Sequence, residues 1–273
     1  MNILYCGDAS VQNGVLLSAL SLAQHQAPLH LYLFTAALTV KGERKAPLTL
    51  AAAAELQTAL QAADPRNTVQ LFDLTTLVEQ APPTANWQTR FTPYCMLRLY
   101  ADLVPGLPDR LLYLDADVLA LKPVTAFYEQ PLTTTECVGV LDHYGQWFFH
   151  QRLGRDYMNS GVLLLNLGRI RQTGLFAACR QRCADQRMFM PDQSALNKLA
   201  QGKRLAPRRF NDQHGPHADT VMMHFSTRLS FWPWFHPVTV KPWQVEAAQT
   251  LLGAATPTAL YRQYEAILAT RKG

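Results

Sequence analysis

Short apolar runs alternate with longer stretches of helical spacing along most of the chain. Ile3 to Cys6 reads as a first strand, and Val15 to Ala23 repeats its apolar positions with helical spacing. Leu29 to Phe34 is a second strand. Leu48 to Ala63, rich in alanine and leucine, predicts a helix that Asp64-Pro65 ends. Thr68 to Phe72 is a third strand. Strands and helices alternating at this length predict βαβ units and a parallel sheet. After the Ala81-Pro82-Pro83-Thr84 loop, Pro93 to Asp102 predicts a helix with Met96, Leu99 and Leu103 on one side. Leu111 to Val118, Val138 to Leu141 and Asn159 to Asn166 read as further strands, with Gly145 to Gly154 an aromatic loop between the last two. Two short helices run to Arg187, and Asp192 to Ala200 opens another with Pro191 before it. Asn211 to Asp219 is polar and turn-rich. Val221 to Phe225 is a short strand containing His224. Residues 226–243 show neither a helical nor a strand period and read as a long aromatic, proline-rich loop. Trp243 to Lys272 is largely helical.

One of these segments carries chemistry. Leu111-Leu112-Tyr113-Leu114-Asp115-Ala116-Asp117-Val118 is an apolar run that ends in two carboxylates two residues apart. On an extended chain such side chains point the same way, so Asp115 and Asp117 converge at the strand's carboxyl end. Open α/β sheets bind their ligands at that edge. Two oxygen donors there suit Mg²⁺ or Mn²⁺, which in turn hold substrate phosphates. The plainer alternative is an acidic turn after a strand. The apolar flanks on both sides argue against it, because two buried like charges are costly unless a cation offsets them. Asp8, Asp142, Asn159 and His224 also fall at strand ends, which cluster in such a sheet.

With 273 residues, 48% of them apolar and 16% charged, the chain can bury one large α/β core. A net charge of +5 fits an anionic substrate, a phosphate-rich surface or nucleic acid, and decides among none of them. The five cysteines are odd in number and contain no C-x-x-C, which points to a reducing compartment and away from a disulfide framework. Cys179 and Cys183, four apart on an expected helix, read as two thiols rather than half a zinc site. No secretory leader and no apolar stretch of about 18 residues is visible, so the expectation is a cytoplasmic protein, touching a membrane at most from inside.

Three ordered segments carry a family resemblance: Tyr113-Leu114-Asp115-Ala116-Asp117-Val118, Met158-Asn159-Ser160-Gly161-Val162-Leu163-Leu164-Leu165-Asn166-Leu167, and Asp192-Gln193-Ser194-Ala195-Leu196-Asn197. Together they resemble glycosyltransferase family 8, retaining sugar-nucleotide transferases that include bacterial lipopolysaccharide galactosyl- and glucosyltransferases and glycogenin. The resemblance implies a GT-A fold: an α/β protein with a Rossmann-like mixed central sheet flanked by helices, at residues 1–243, and a small helical tail at 244–273. It implies that Asp115, Asp117 and His224 hold Mn²⁺, with Mg²⁺ as the alternative, bridging the diphosphate of a UDP-sugar. Cys6, Asp8, Arg98, Ala116, Asp142, Asn159, Ser160 and Lys241 fall among its donor-binding positions, and Asp192 and Gln193 at its catalytic ones. For Asp8 and Asp192 a helix N-cap competes with ligand binding, and for Arg98 a solvated helix charge does. The expected reaction moves galactose or glucose to a glycan or lipid-linked acceptor of the cell envelope. A front-face substitution is favoured, because the close carboxylate pair is committed to metal whereas a retaining double displacement needs a pair about 5 Å apart at the bond.

The chain also departs from the family pattern. Val11 stands where an aromatic often stacks on uracil. The stretch from His224 to Lys241-Pro242-Trp243 is longer and rich in aromatics, which read equally as an acceptor platform or as a packed loop. The phosphate-binding lysine is assigned to Lys241, with Arg228 as the alternative. Lys203, Arg204, Arg208 and Arg209 read as solvated surface, or as a contact for anionic lipid or a phosphorylated acceptor. Competing functions are a nucleotidyltransferase or sugar-nucleotide hydrolase, and a sugar-nucleotide-binding protein without catalysis. Cys6-Gly7-Asp8-Ala9-Ser10 lacks the glycine-rich phosphate loop of the first. No nucleic-acid module and no G-x-G-x-x-G is present, so neither nucleic-acid binding nor dinucleotide redox chemistry is expected.

Overall fold

The computed structural model describes residues 1–87, 89, 93–143, 156–230 and 236–271. In chain order the elements are β1 (Asn2–Cys6), α1 (Gln12–Ala23), β2 (His30–Thr35), β3 (Thr39–Val40), β4 (Glu43–Arg44), α2 (Leu50–Gln61), β5 (Thr68–Asp73), α3 (Thr75–Gln80), β6 (Arg110–Leu114), β7 (Val118–Ala120), α4 (Thr125–Tyr128), β8 (Cys137–Leu141) and β9 (Met158–Asn166). They continue with α5 (Leu167–Thr173), α6 (Leu175–Asp185), α7 (Pro191–Leu199), β10 (Lys203–Ala206), β11 (Met222–His224), β12 (Arg228–Ser230), β13 (His236–Val238), α8 (Val245–Leu252) and α9 (Thr258–Thr270).

Seven strands form the central sheet in the order β10-β8-β9-β6-β1-β2-β5. The β6-β1-β2-β5 half is parallel throughout, as the βαβ pattern predicts. Strand β9 inserts antiparallel between β6 and β8, so the sheet is mixed. The period of two places side chains alternately on its faces. Ile3, Tyr5, Leu112 and Leu114 join one buried core, and Leu4, Leu111 and Tyr113 the other. The C-terminal helices complete the first core: Ala248, Leu252, Leu260, Tyr261 and Tyr264 are buried with residues of α1.

Several expectations are corrected. Residues Pro93–Leu103 wind as a 3-10 helix, and Leu103 is 45% exposed while Met96 and Leu99 are buried. A repeat of three residues puts position 102, not 103, below 96 and 99; Asp102 there pairs with Arg180. The 226–243 stretch contains an antiparallel hairpin, β12 with β13. Its aromatic residues 231–235, and the aromatic loop at 145–154, lie outside the described residues. The basic stretch opens with the edge strand β10. Lys203 pairs with Asp156 at 2.9 Å, Arg204 donates to the Pro131 carbonyl, and Arg208 pairs with Asp212 and Asp219. Its charges are thus largely answered within the chain.

Candidate functional site

Strand β6 stops at Leu114, and Asp115-Ala116-Asp117 is a turn closed by the Val118 amide donating to the Asp115 carbonyl at 3.1 Å. The two carboxylates therefore do not converge through strand alternation, as the sequence spacing implies. They converge because β7, which follows the turn, pairs antiparallel with β11 in a register that sets His224 opposite Val118. The Phe225 amide donates to the Asp117 carbonyl at 2.9 Å, and the Asp115 amide donates to the Gly161 carbonyl at 2.8 Å, so main chain fixes both sides. His224 Nε2 lies 3.3 Å from Asp117 Oδ1 and 3.7 Å from Asp115 Oδ2. Gly161 passes directly beneath: a Cβ there would overlap His224 Cε1 and lie 2.8 Å from Asp115 Oδ2.

A second set of polar groups adjoins the first. Arg98 is 1% exposed, with its guanidinium over the Tyr113 ring at 3.7 Å. It stands 3.3 Å from both Asp115 Oδ1 and Asp192 Oδ2, and donates to the Ser160 carbonyl and, at 2.7 Å, to that of Cys95. Tyr113 donates to Asp115 Oδ1 at 2.5 Å. Beyond them Ser160 Oγ donates to Asp192 Oδ2 at 3.1 Å. Asn159 Nδ2 and Gln193 Nε2 each donate to Asp142 Oδ2 at 2.9 Å. Asp142, Asn159, Ser160, Asp192 and Gln193 are all buried. Their strand-end and helix-start positions bring them to one edge of the sheet. Asp192 does not cap α7; Met190 is the N-cap and Pro191 the first helical residue, which leaves the Asp192 carboxylate to Arg98 and Ser160.

The chemistry of this cluster is that of charges taken out of water. Burial alone would raise the Asp117 carboxyl, but His224 and Lys241, whose Nζ is 2.5 Å from Asp117 Oδ2, hold it well below the usual carboxylate range. Burial alone would lower the His224 imidazole, and the Asp117 and Asp115 carboxylates outweigh it, raising His224 above its ordinary 6.5. The pairing of His224 therefore stabilises the metal-free protein fully below pH 6.5, and that stabilisation is lost as the pH rises through the raised value. A cation at Nε2 displaces the same proton, so its affinity rises over the same interval. Calorimetric titration of Mn²⁺ in buffers of different ionisation enthalpy should show proton release below the raised value and little well above it.

Residues 2–244 match the family described as Glycosyl transferase family 8. The chain belongs to glycosyltransferase family 8. Glucoside xylosyltransferase 1 of Mus musculus is 31% identical over 98 residues, which are 32% of this chain and 24% of that protein. Glucoside xylosyltransferase 2 of Xenopus laevis is 35% identical over 98 residues, 32% of this chain and 23% of its own. The chain thus spans about a quarter of the length of the curated relatives it matches. The structure of the galactosyltransferase LgtC with donor and acceptor sugar analogues aligns with a TM-score of 0.70 at 19% identity, covering 97% of this chain and 96% of that one. GlyE of Streptococcus pneumoniae TIGR4 gives 0.64 at 16% identity, over 98% and 63%. These structural likenesses establish the GT-A fold.

The ligand atoms of Asp115, Asp117 and His224 all lie within 4.8 Å of one another. Six-coordinate ions with bonds of about 2.1 Å set adjacent donors ~3 Å apart, close to the observed separations. Two carboxylates with one imidazole suit a divalent cation. The donor set fits. Of the other residues that the resemblance singles out, Cys6 ends β1 close enough to feel the charges of Arg98, Asp115 and Asp192, although burial pushes its thiol up. Asp8 is buried and caps the following 3-10 turn through Ser10 N at 3.0 Å, so the capping alternative holds. Arg98 is no solvated helix charge: the structure places it between Asp115 and Asp192. Ala116 supplies the middle of the turn, its carbonyl against Gly14 of α1.

Sequence reading missed three contributors. Gly161 gives no signal beyond lying in the second motif. Tyr113 reads as a core strand residue. Asn211, within a polar, turn-rich stretch, bridges His224 and Asn159, with Nδ2 donating to Asn159 Oδ1 at 2.9 Å and Oδ1 3.1 Å from His224 Nδ1. Cys179 and Cys183 are both free and buried in the core.

Proposed function

We propose that this chain transfers a hexose, galactose or glucose, from a UDP-sugar to a glycan or lipid-linked acceptor of the cell envelope with retention of configuration, using Mn²⁺. The observation that carries the reading is the convergence of Asp115, Asp117 and His224 beside Lys241, a cation-binding triad with a phosphate-ready ammonium at the ligand-binding edge of the sheet. A metal held there offsets the charge that develops on the departing diphosphate. Lys241 swings from Asp117 to the same diphosphate, a short displacement for a flexible ammonium. Asp142 and Asp192, held by Asn159, Gln193, Ser160 and Arg98, accept hydrogen bonds from the donor hydroxyls. Asp8 and Cys6 line the pocket for the base.

In the proposed reaction the acceptor hydroxyl attacks the anomeric carbon from the side the diphosphate leaves. The anomeric C–O bond to phosphate breaks, the bond to the acceptor oxygen forms, and the hydroxyl proton passes to the departing phosphate oxygen. Gln193 steadies the cationic sugar indirectly, since its amide grips Asp142 on one side and Ser160 on the other. The proposed place of action is the cytoplasm, near the inner face of a membrane. Among the described residues no helix is long and apolar enough to cross one.

Incubation with Mn²⁺ and each of UDP-galactose, UDP-glucose and UDP-xylose, with and without EDTA, tests the reading. The pentose is included because the curated relatives are named as xylosyltransferases. UDP release from one hexose donor, abolished by EDTA and increased by acceptor, is expected. Release from UDP-xylose alone would replace the hexose, and no release from any donor would defeat the reading. Mass spectrometry during turnover should find no glycosyl-enzyme adduct.

A further inference from the structure

A single directed chain of hydrogen bonds joins the cation-binding triad to the sugar-binding acids, and two main-chain amides set its direction. A backbone N–H can only donate. The Gly161 N–H donates at 2.9 Å to Asn159 Oδ1, so the other end of that amide, Nδ2, faces Asp142 Oδ2. The Ser160 N–H donates at 2.9 Å to Gln193 Oε1, so Gln193 Nε2 also faces Asp142 Oδ2. With Asn159 Oδ1 fixed as an acceptor, the atom of Asn211 that meets it must be the donor Nδ2, and Asn211 Oδ1 is turned to His224 Nδ1. An amide oxygen can only accept, so in the neutral imidazole, the form that binds a metal, Nδ1 is the ring nitrogen that carries the proton. Nε2 is thereby left with its lone pair directed between Asp115 and Asp117. Asn159, Asn211 and His224 are buried, which keeps water from offering these groups other partners.

We propose that Asn211 is a positioning residue for the metal: it fixes the His224 tautomer and couples the metal seat to the donor-sugar seat through Asn159 and Asp142. The inference rests on the metal-dependent reading above. Asn211 touches neither the metal nor the sugar in this scheme. Its effect reaches the metal through ring orientation and tautomer, and reaches the sugar through the Asn159 amide. A partner of this kind behind a metal-bound histidine is commonly worth about 10–100-fold in metal affinity.

Two variants separate the two ends of Asn211. Asn211→Leu removes both hydrogen bonds at similar volume. Asn211→Asp keeps an acceptor for His224 Nδ1 but sets an acceptor against Asn159 Oδ1, which Gly161 prevents from turning away. Mn²⁺ affinity is read at pH 8 from the loss of the free-ion EPR signal, without donor. The expected results are an affinity lowered about 10–100-fold in Asn211→Leu and within about threefold of the parent, or tighter, in Asn211→Asp. Asn211→Asp should instead raise the KM for the UDP-sugar at saturating Mn²⁺. Co²⁺ in place of Mn²⁺ gives a second readout: the visible bands of the parent protein should persist in Asn211→Asp and shift in Asn211→Leu.

Should Asn211→Leu not fold, Asn211→Asp decides alone, because loss of Mn²⁺ binding there overturns the proposal. Unchanged affinity in a folded Asn211→Leu overturns it as well while leaving the metal reading intact. A parent protein that binds no Mn²⁺ overturns both.

Discussion

Asp117→Asn is expected to lower kcat/KM by about 10³-fold and to remove Mn²⁺ binding from the micromolar-to-millimolar range accessible to EPR titration. The cause is the balance of charge around that one carboxylate. Its Oδ1 faces His224 Nε2 at 3.3 Å and its Oδ2 faces Lys241 Nζ at 2.5 Å. A neutral amide would leave those two groups with Asp115 as the remaining carboxylate of the triad, and the field that draws a divalent cation would collapse. The amide N–H would face either the Lys241 ammonium, which is another donor, or the Nε2 lone pair that the metal needs, so the geometry suffers with the charge. Added Mn²⁺ should not restore activity, whereas simple weakening of the site would be reversed at high metal. A variant that retains the parent's metal affinity and turnover within a few fold would remove Asp117 from the metal seat.

Gly161→Ala is expected to impair the site nearly as much, through shape rather than charge. The added methyl would overlap His224 Cε1 and sit 2.8 Å from Asp115 Oδ2 and 2.9 Å from His224 Nδ1. None of these atoms ends a flexible side chain. The imidazole is buried and tied to Asn211, and Asp115 is tied to Tyr113 and Arg98. Strand β9 cannot retreat, because it is paired on both edges with β6 and β8. Overpacking of this kind costs about 1–3 kcal/mol, which lowers the melting temperature by several degrees. Mn²⁺ affinity should fall by about 100-fold, as for loss of a group that orients a ligand. Calorimetry in EDTA and an EPR titration read the two effects separately. A methyl tolerated with neither effect would mean that His224 does not sit over this strand.

The parallel half of the sheet was legible because β1, β2 and β5 are strand-length runs spaced by stretches of helical pattern. The direction of β9 was not, since period-two alternation is the same for a strand running either way. Edge elements hid for a related reason. Strand β10 begins Lys203-Arg204, and charged residues are what an exposed edge requires. Strand β13 contains Pro237, which reads as a strand breaker and is tolerated in a two-stranded ribbon. At the site, Asp115 and Asp117 stood out because acids follow an apolar run, although the expected cause, strand alternation, gave way to a turn. His224 and Asn159 were placed by their strand ends, with their roles supplied by family resemblance, while Asp192 and Gln193 were placed by that resemblance. Asn211 had neither advantage. Its stretch looks like solvent-facing loop, and its role exists only once Asn159 and His224, remote from it in sequence, arrive on either side.

The order in which the polypeptide leaves the ribosome gives the distribution of the triad a temporal meaning. Asp115 and Asp117 emerge early, whereas His224 and Lys241 are added only after the chain has passed through β8, β9 and β10. A nascent chain halted between them holds two acids with neither the imidazole nor the ammonium that completes their surroundings. Under the proposed function, sugar nucleotide would be gripped only by chains whose synthesis has passed β11 and Lys241, and truncated products should neither sequester the donor nor hydrolyse it.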